Sequence, residues 1–366
     1  MTVYIRDIAK TLEEIAPLSS QEDYDNSGLI IGDPDTEVKA TLLTLDCTEE
    51  VVEEAIQLGA NLIIAHHPIV FKGLKKINGK NYVERTVIKA IKNDIAIYAA
   101  HTNLDNYHLG VNYEIAHRLG IKNPRILAPT QNTLKKLVFF CPVKDVEKVS
   151  KAIFNAGGGN IGNYSECSFE TSGEGYFLPN KAANPTIGKK GKREKVTEKR
   201  VEILISSHKE NTIIQAMLKT HPYEEVAYEL YPITNTNQEE GAGMIGELEK
   251  EVKTEVFLEN LKKNFNCGCI RHTKLTKNKI KKVAFCGGSG SFLLADAKQQ
   301  NADIYITSDF KYHEFFDAED QIIIADIGHY ESEQFTSNLI LSIMRKNFIN
   351  FAFYLSKVNT NPINYF

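Results

Sequence analysis

Apolar positions in the first 130 residues fall into short continuous runs separated by stretches in which they recur every three or four places. That is how strands and amphipathic helices read in alternation. The runs 40–45, 61–65 and 95–100 predict strands, and 49–58 and 83–92 predict the helices between them. Strand, helix, strand, helix, strand is the order of a parallel or mixed α/β sheet. Between 131 and 235 the texture changes to aromatic and β-branched runs punctuated by glycine. Here 136–140, 164–169, 175–178 and 201–205 read as strands and 146–154 and 211–218 as helices, an α+β pattern. After 236 the α/β texture returns. The division is therefore a first α/β unit (1–130), an inserted α+β domain (131–235) and a second α/β unit (236–366).

The late segment repeats the early one. Residues 55–67 (AIQLGANLIIAHH) lie without gaps over 297–309 (AKQQNADIYITSD), so that a helix ends and a strand delivers two adjacent polar residues in each. The next strands correspond as well: 95–105 (IAIYAAHTNLD) matches 323–333 (IIADIGHYESE), both closing in His-x-x-x-carboxylate. A repeat at this separation is not a solenoid period. It predicts a duplicated α/β unit whose two strand-end clusters face each other across a pseudo-twofold axis.

Composition narrows the class. A chain of 366 residues holds two or three domains at roughly 100–200 residues each. An apolar share of 42%, a charged share of 25% and a net charge of -4 are ordinary for a soluble globular protein, and the acidic balance argues against a nucleic-acid partner. The stretch 181–200 carries eight Lys or Arg against two Glu, but its field is local and reads as a solvated hairpin rather than an anion site. Six cysteines without a CxxC pair indicate neither a zinc ribbon nor a disulfide framework. Charges interrupt the amino-terminal apolar residues before a signal core forms, and no run approaches the roughly 20 apolar residues of a membrane span. The expected compartment is the cytoplasm.

His66 and His67 follow an apolar strand and precede Pro68, at the carboxyl end where open α/β sheets place their crevices. Adjacent side chains of an extended segment point to opposite faces, so the pair suits two metal ions better than one unless the chain turns. His101, Asp105, His329 and Glu333 combine imidazole with carboxylates able to bridge cations, at i, i+4 spacing that shares a helix face. Any one of these histidines alone reads as a hydrogen-bonded crevice residue. The joint pattern favours metal: two divalent ions, with Zn, Fe, Mn, Co and Ni all compatible with the ligand types. Two ions roughly 3.5–4 Å apart would activate a hydroxide for hydrolysis. Gly287-Gly-Ser-Gly290 reads as a tight turn rather than a phosphate cradle, because it lacks the GxGxxG order and the P-loop lysine. Cys267 and Cys269 stay unassigned, and no G-x-S-x-G elbow supports covalent acyl chemistry.

Six ordered motifs carry a family resemblance: Tyr24-Asp-Asn-Ser-Gly-Leu29, Ala65-His-His-Pro-Ile69, His101-Thr-Asn-Leu-Asp105, Gly162-Asn-Tyr-Ser-Glu-Cys167, His221-Pro-Tyr-Glu-Glu225 and Gly328-His-Tyr-Glu-Ser-Glu333. With them the chain resembles the Nif-three-like family, also called the GTP cyclohydrolase 1 type 2 homologs. The resemblance implies two related α/β/α units forming one fold, an inserted ferredoxin-like domain similar to CutA or PII proteins, and a ring-shaped homohexamer. It also implies metal ligation by His66, His67, Asp105, His329 and Glu333. His101 would orient the site, ligate occasionally and relay protons as a catalytic residue. Tyr24 stands where the family usually has tryptophan. The implied activity is a metal-dependent hydrolase, GTP cyclohydrolase-like or phosphoesterase-like, acting on a small molecule such as a nucleotide; Lys72, Lys75 and Lys76 either meet its phosphates or are simply solvated. The alternative is a metal-handling or regulatory protein.

Overall fold

Three of the expected strands are buried at every position: Thr41–Thr44, Leu62–Ala65 and Ala96–Ala99. A strand with no exposed face must lie inside a sheet covered on both sides, as crossover connections produce. The computed structural model, which describes residues 2–366, shows how this is done. In chain order the strands are β1 (Gly28–Ile31), β2 (Thr41–Thr44), β3 (Leu62–Ala65), β4 (Ala96–Ala99), β5 (Ile121–Pro129), β6 (Leu134–Pro142), β7 (Phe169–Phe177), β8 (Glu194–Ser206), β9 (Tyr228–Pro232), β10 (Gly241–Lys253), β11 (Arg271–His272), β12 (Lys279–Ser289), β13 (Ile304–Ser308), β14 (Ile323–Asp326) and β15 (Phe353–Leu355).

Two compact units emerge, one of 1–129 with 238–366 and one of 130–237. The first contains two sheets, ordered β1-β4-β3-β2-β15 and β11-β14-β13-β12-β10-β5. In each, three neighbours run parallel (β2, β3, β4 and β12, β13, β14), and a short strand that precedes them in the chain pairs antiparallel at the β4 or β14 edge. Side chains alternate between two cores, as strand geometry requires. Leu43, Leu62, Ile64 and Tyr98 join Val283, Phe285, Ile304 and Ile323 in one cluster shared by both sheets. Leu42, Ile63 and Ile97 face a separate cluster with the helix Glu49–Gln57, and Ala284, Tyr305 and Ile324 face another with the helix Leu294–Gln299. All parallel strands of a sheet thus end on the same side, and that is where the polar pairs of the repeat emerge.

The second unit runs strand β6, helix Val146–Asn155, strands β7 and β8, helix Glu210–Thr220, strand β9. Its antiparallel sheet is ordered β7-β8-β6-β9, with Leu137, Phe139, Ile203, Val149 and Ile213 in its core. The expected strands at 164–169 and 175–178 are instead one strand, Phe169–Phe177, and the basic stretch is a loop up to Arg193 that enters β8 at Glu194. Gly175 does not interrupt the strand, where it pairs with Val196 of β8. Charges pair across the exposed ribbon, Lys195 with Glu174 at 2.6 Å, as cross-strand neighbours do.

Candidate metal centre

β3 stops at Ala65, and the chain bends through His66 and His67 before Pro68. The bend removes the opposite-face constraint of an extended pair, and the two rings come to 4.9 Å between centroids. β4 ends similarly, and the short helix Thr102–Asp105 carries Asp105 one turn past His101. In the second half, the helix His329–Glu333 does the same after β14. Gly328, at φ +93°, precedes that helix in a conformation open to glycine.

Each imidazole is held at Nδ1. His66 donates to the Ala100 carbonyl at 2.7 Å, His67 to Asp46 at 2.7 Å, His101 to Asp25 at 2.6 Å and His329 to Asp309 at 2.6 Å. Such partners fix the ring plane and leave Nε2 for a metal, the arrangement common around histidine ligands. The Nε2 atoms do converge. His67 Nε2 lies 3.3 Å from that of His329, and each is 3.0 Å from Oε2 of Glu333. Oε1 of Glu333 turns the other way, 3.8 Å from His66 Nε2, which is also 3.5 Å from Oδ1 of Asp105. His66 Nε2 and Asp105 Oδ1 are buried and lack a hydrogen-bond partner. Burying such atoms unsatisfied is costly, and a cation between them would remove the cost. Three groups have the composition and closeness to hold a metal ion: His66 with His67 and His101, His67 with His329 and Glu333, and His66 with Asp105 and Glu333.

The electrostatics agree with a site shaped for positive charge. Burial opposes charging His67, yet Asp46 and Glu333 raise its pKa to about 9. His329 is raised to about 11 against the same burial by Glu333 and Asp309. Glu333, although buried, is held well below the ordinary carboxylate range by His329 and His67. Burial and the adjacent Glu333 push Asp105 up to about 8. Protons therefore gather where cations would sit.

The close approach of Glu333 depends on Gly288, whose φ is +62° and where a Cβ would stand 2.3 Å from Oε1. The Gly287 amide donates to Asn112 and the Gly288 amide to Ser332. Both are committed to structure, which leaves the glycine-rich turn as a spacer for Glu333. Every residue singled out as a ligand or proton relay is brought into this cluster. The sequence reading missed the Nδ1 partners. Asp309 is the overlay counterpart of His67 and Asp25 belongs to the Tyr24–Leu29 motif, whereas Asp46 carries no signal in the sequence. Cys267 is buried and Cys269 exposed, both as free thiols.

The family profile described as Duf34/NIF3 (NGG1p interacting factor 3) matches residues 3–362. The chain belongs to the Duf34/NIF3 family. Two relatives named GTP cyclohydrolase 1 type 2 homolog are similar to this Duf34/NIF3 chain. The one from Halalkalibacterium halodurans is 42% identical over 324 residues, 88% of this chain and 87% of the relative. The one from Bacillus subtilis is 37% identical over 363 residues, 98% of this chain and 97% of the relative. Among solved structures, the Bacillus cereus protein related to NIF3 superposes with a TM-score of 0.88 at 39% identity, covering 100% of this chain and 99% of that one. The mixed α/β fold is thus that of NIF3-like proteins.

Proposed function

We propose that the cluster is a dinuclear centre in which Glu333 bridges two divalent cations, one beside His66 and Asp105 and the other beside His67 and His329, and that the protein is a metal-dependent hydrolase of nucleotide-like small molecules. The observation that carries this reading is the division of Glu333, whose two oxygens face two different donor groups. When bound, a pair of such cations supplies Lewis acidity and water nucleophilic at neutral pH. His101, with Nδ1 tied to Asp25 and its ring against those of His66 and His67, holds or passes a proton at Nε2. Outward from His101 stand Phe71, at 6.2 Å between centroids, and Tyr24, at 6.0 Å from Phe71. Both rings are exposed and offer a planar base a surface to lie on.

The names of the two relatives support a nucleotide as substrate. The strand and helix order of the 130–237 unit supports a ferredoxin-like insert of CutA or PII type. Exposed Phe292, Tyr312 and Phe316 support assembly, which we take to be a homohexamer. Six free thiols suit the reducing cytoplasm, and no helix among the described residues is long and apolar enough to cross a membrane. The test is metal analysis of purified protein followed by assay of the metal-replete form on a panel of nucleotides and phosphoesters, with His67→Ala as control. About two ions per chain and product formation lost in the control are expected. Freely exchanging metal with no product from wild type would replace the hydrolase with a metal-handling protein.

A further inference from the structure

The segment 356–366 has no regular secondary structure, yet it is fastened at several points. β15 pairs parallel to β2, with Leu355 opposite Leu43, and the Ser356 amide continues the ladder to the Leu43 carbonyl at 2.9 Å. The chain therefore leaves β15 at the same end of the sheet from which Asp46 and His67 project. Glu54 then takes the Ser356 hydroxyl at 2.5 Å and the Lys357 amide at 2.9 Å. Next, the Thr360 hydroxyl donates to Oδ2 of Asp46 at 2.6 Å. Asn361 Nδ2 donates to Oε1 of Glu331 at 3.3 Å, and Glu331 is buried in the same short helix as His329 and Glu333. Finally, Tyr365 lies on Gly268, where a Cβ would meet its ring at 2.4 Å.

We infer that this segment is a strap that orients the metal ligands, and that Thr360 is a positioning residue acting on His67 through Asp46. The physical basis is the use of both Asp46 oxygens. Oδ1 receives His67 Nδ1–H at 2.7 Å while Oδ2 receives Thr360. A carboxylate held at both ends cannot swing about its terminal torsion, so the direction of the bond to His67 is fixed, and with it the line along which Nε2 faces Glu333. Remove the hydroxyl and Asp46 keeps one bond but loses its fixed plane. The cost falls on ligand alignment, since outer partners of metal-bound histidines commonly govern affinity. Asn361 ties the same segment to Glu331, in the short helix that carries His329 and Glu333.

This inference rests on the metal reading, and the experiment separates the two. Full-length wild type, Thr360→Val, Thr360→Ser, Asp46→Asn and the double variant with Thr360→Val would be titrated with Co²⁺, following absorption bands that report ligand geometry, with melting of the metal-free proteins in parallel. Thr360→Val should lose about tenfold in affinity and shift the bands without lowering the metal-free melting temperature, and Thr360→Ser should restore both. In the Asp46→Asn background Thr360→Val should add nothing, because the two act in series. Wild-type binding with Thr360→Val unchanged would overturn the strap alone, as would full additivity with Asp46→Asn. Absence of Co²⁺ binding by wild type would overturn the metal reading and the strap with it. If Thr360→Val does not fold, Thr360→Ala carries the same comparison at the contact with Asp46.

Discussion

The two copies of the α/β repeat agree in topology and differ in chemistry. The first half delivers His66, His67 and His101 with Asp105, and the second delivers His329 with Glu333. The position that bears His67 after β3 bears Asp309 after β13, and Asp309 holds His329 at Nδ1 instead of facing the centre. One copy thus uses the strand end for a donor, the other for the donor's support. The carboxylates diverge as well. Asp105 lies beside His66 and Glu333, whereas Glu333, one methylene longer, spans between His66 on one side and His67 and His329 on the other. The shared topology places the strand ends alike, and small differences at equivalent positions make one wall rich in imidazole and give the other a carboxylate that faces both donor groups.

The sharpest way to break this comparison is to exchange the acids' fates. Glu333→Ala should strip the protein of nearly all metal, while Asp105→Ala should leave about one ion of the two expected, read by metal analysis; equal losses would end the asymmetry. Gly288→Ala comes next. The left-handed backbone costs a side chain about 1–3 kcal/mol, and the methyl would displace Glu333, so both the melting temperature and metal content should fall. Asp309→Asn should weaken binding about 10–100-fold without emptying the site beside His66. The gentlest probe is pH. Binding must displace protons held by His67 up to about 9 and by His329 up to about 11, so Zn²⁺ affinity should climb from pH 6 to 9, with proton release measurable by calorimetry in buffers of different ionisation heat. A flat profile would show that neither imidazole gives up its proton.

The cluster of candidate ligands was legible because its signals are local. Apolar runs ending in paired polar residues, repeated without gaps, report strand ends directly, and parallel neighbours bring such ends together. The supports were not legible in the same way. Asp46 touches His67 from a turn after β2, and Thr360 touches Asp46 across 314 positions; neither relation leaves a periodic trace. For His66 and His67 the alternation rule left two outcomes open, and the bend that follows Ala65 selects the one in which the rings converge. In the 130–237 unit, β7 was split in two because glycine there reads as punctuation, although the strand runs unbroken from Phe169 to Phe177.

β15 has a consequence for how the molecule is made. It comes from the far end of the second half, yet it completes the sheet of the first. During translation the amino-terminal sheet stays one strand short until residue 355 has left the ribosome, so domain-by-domain maturation from the front is closed to it. The first copy expressed alone would lack this edge strand and should be less stable than in the full chain.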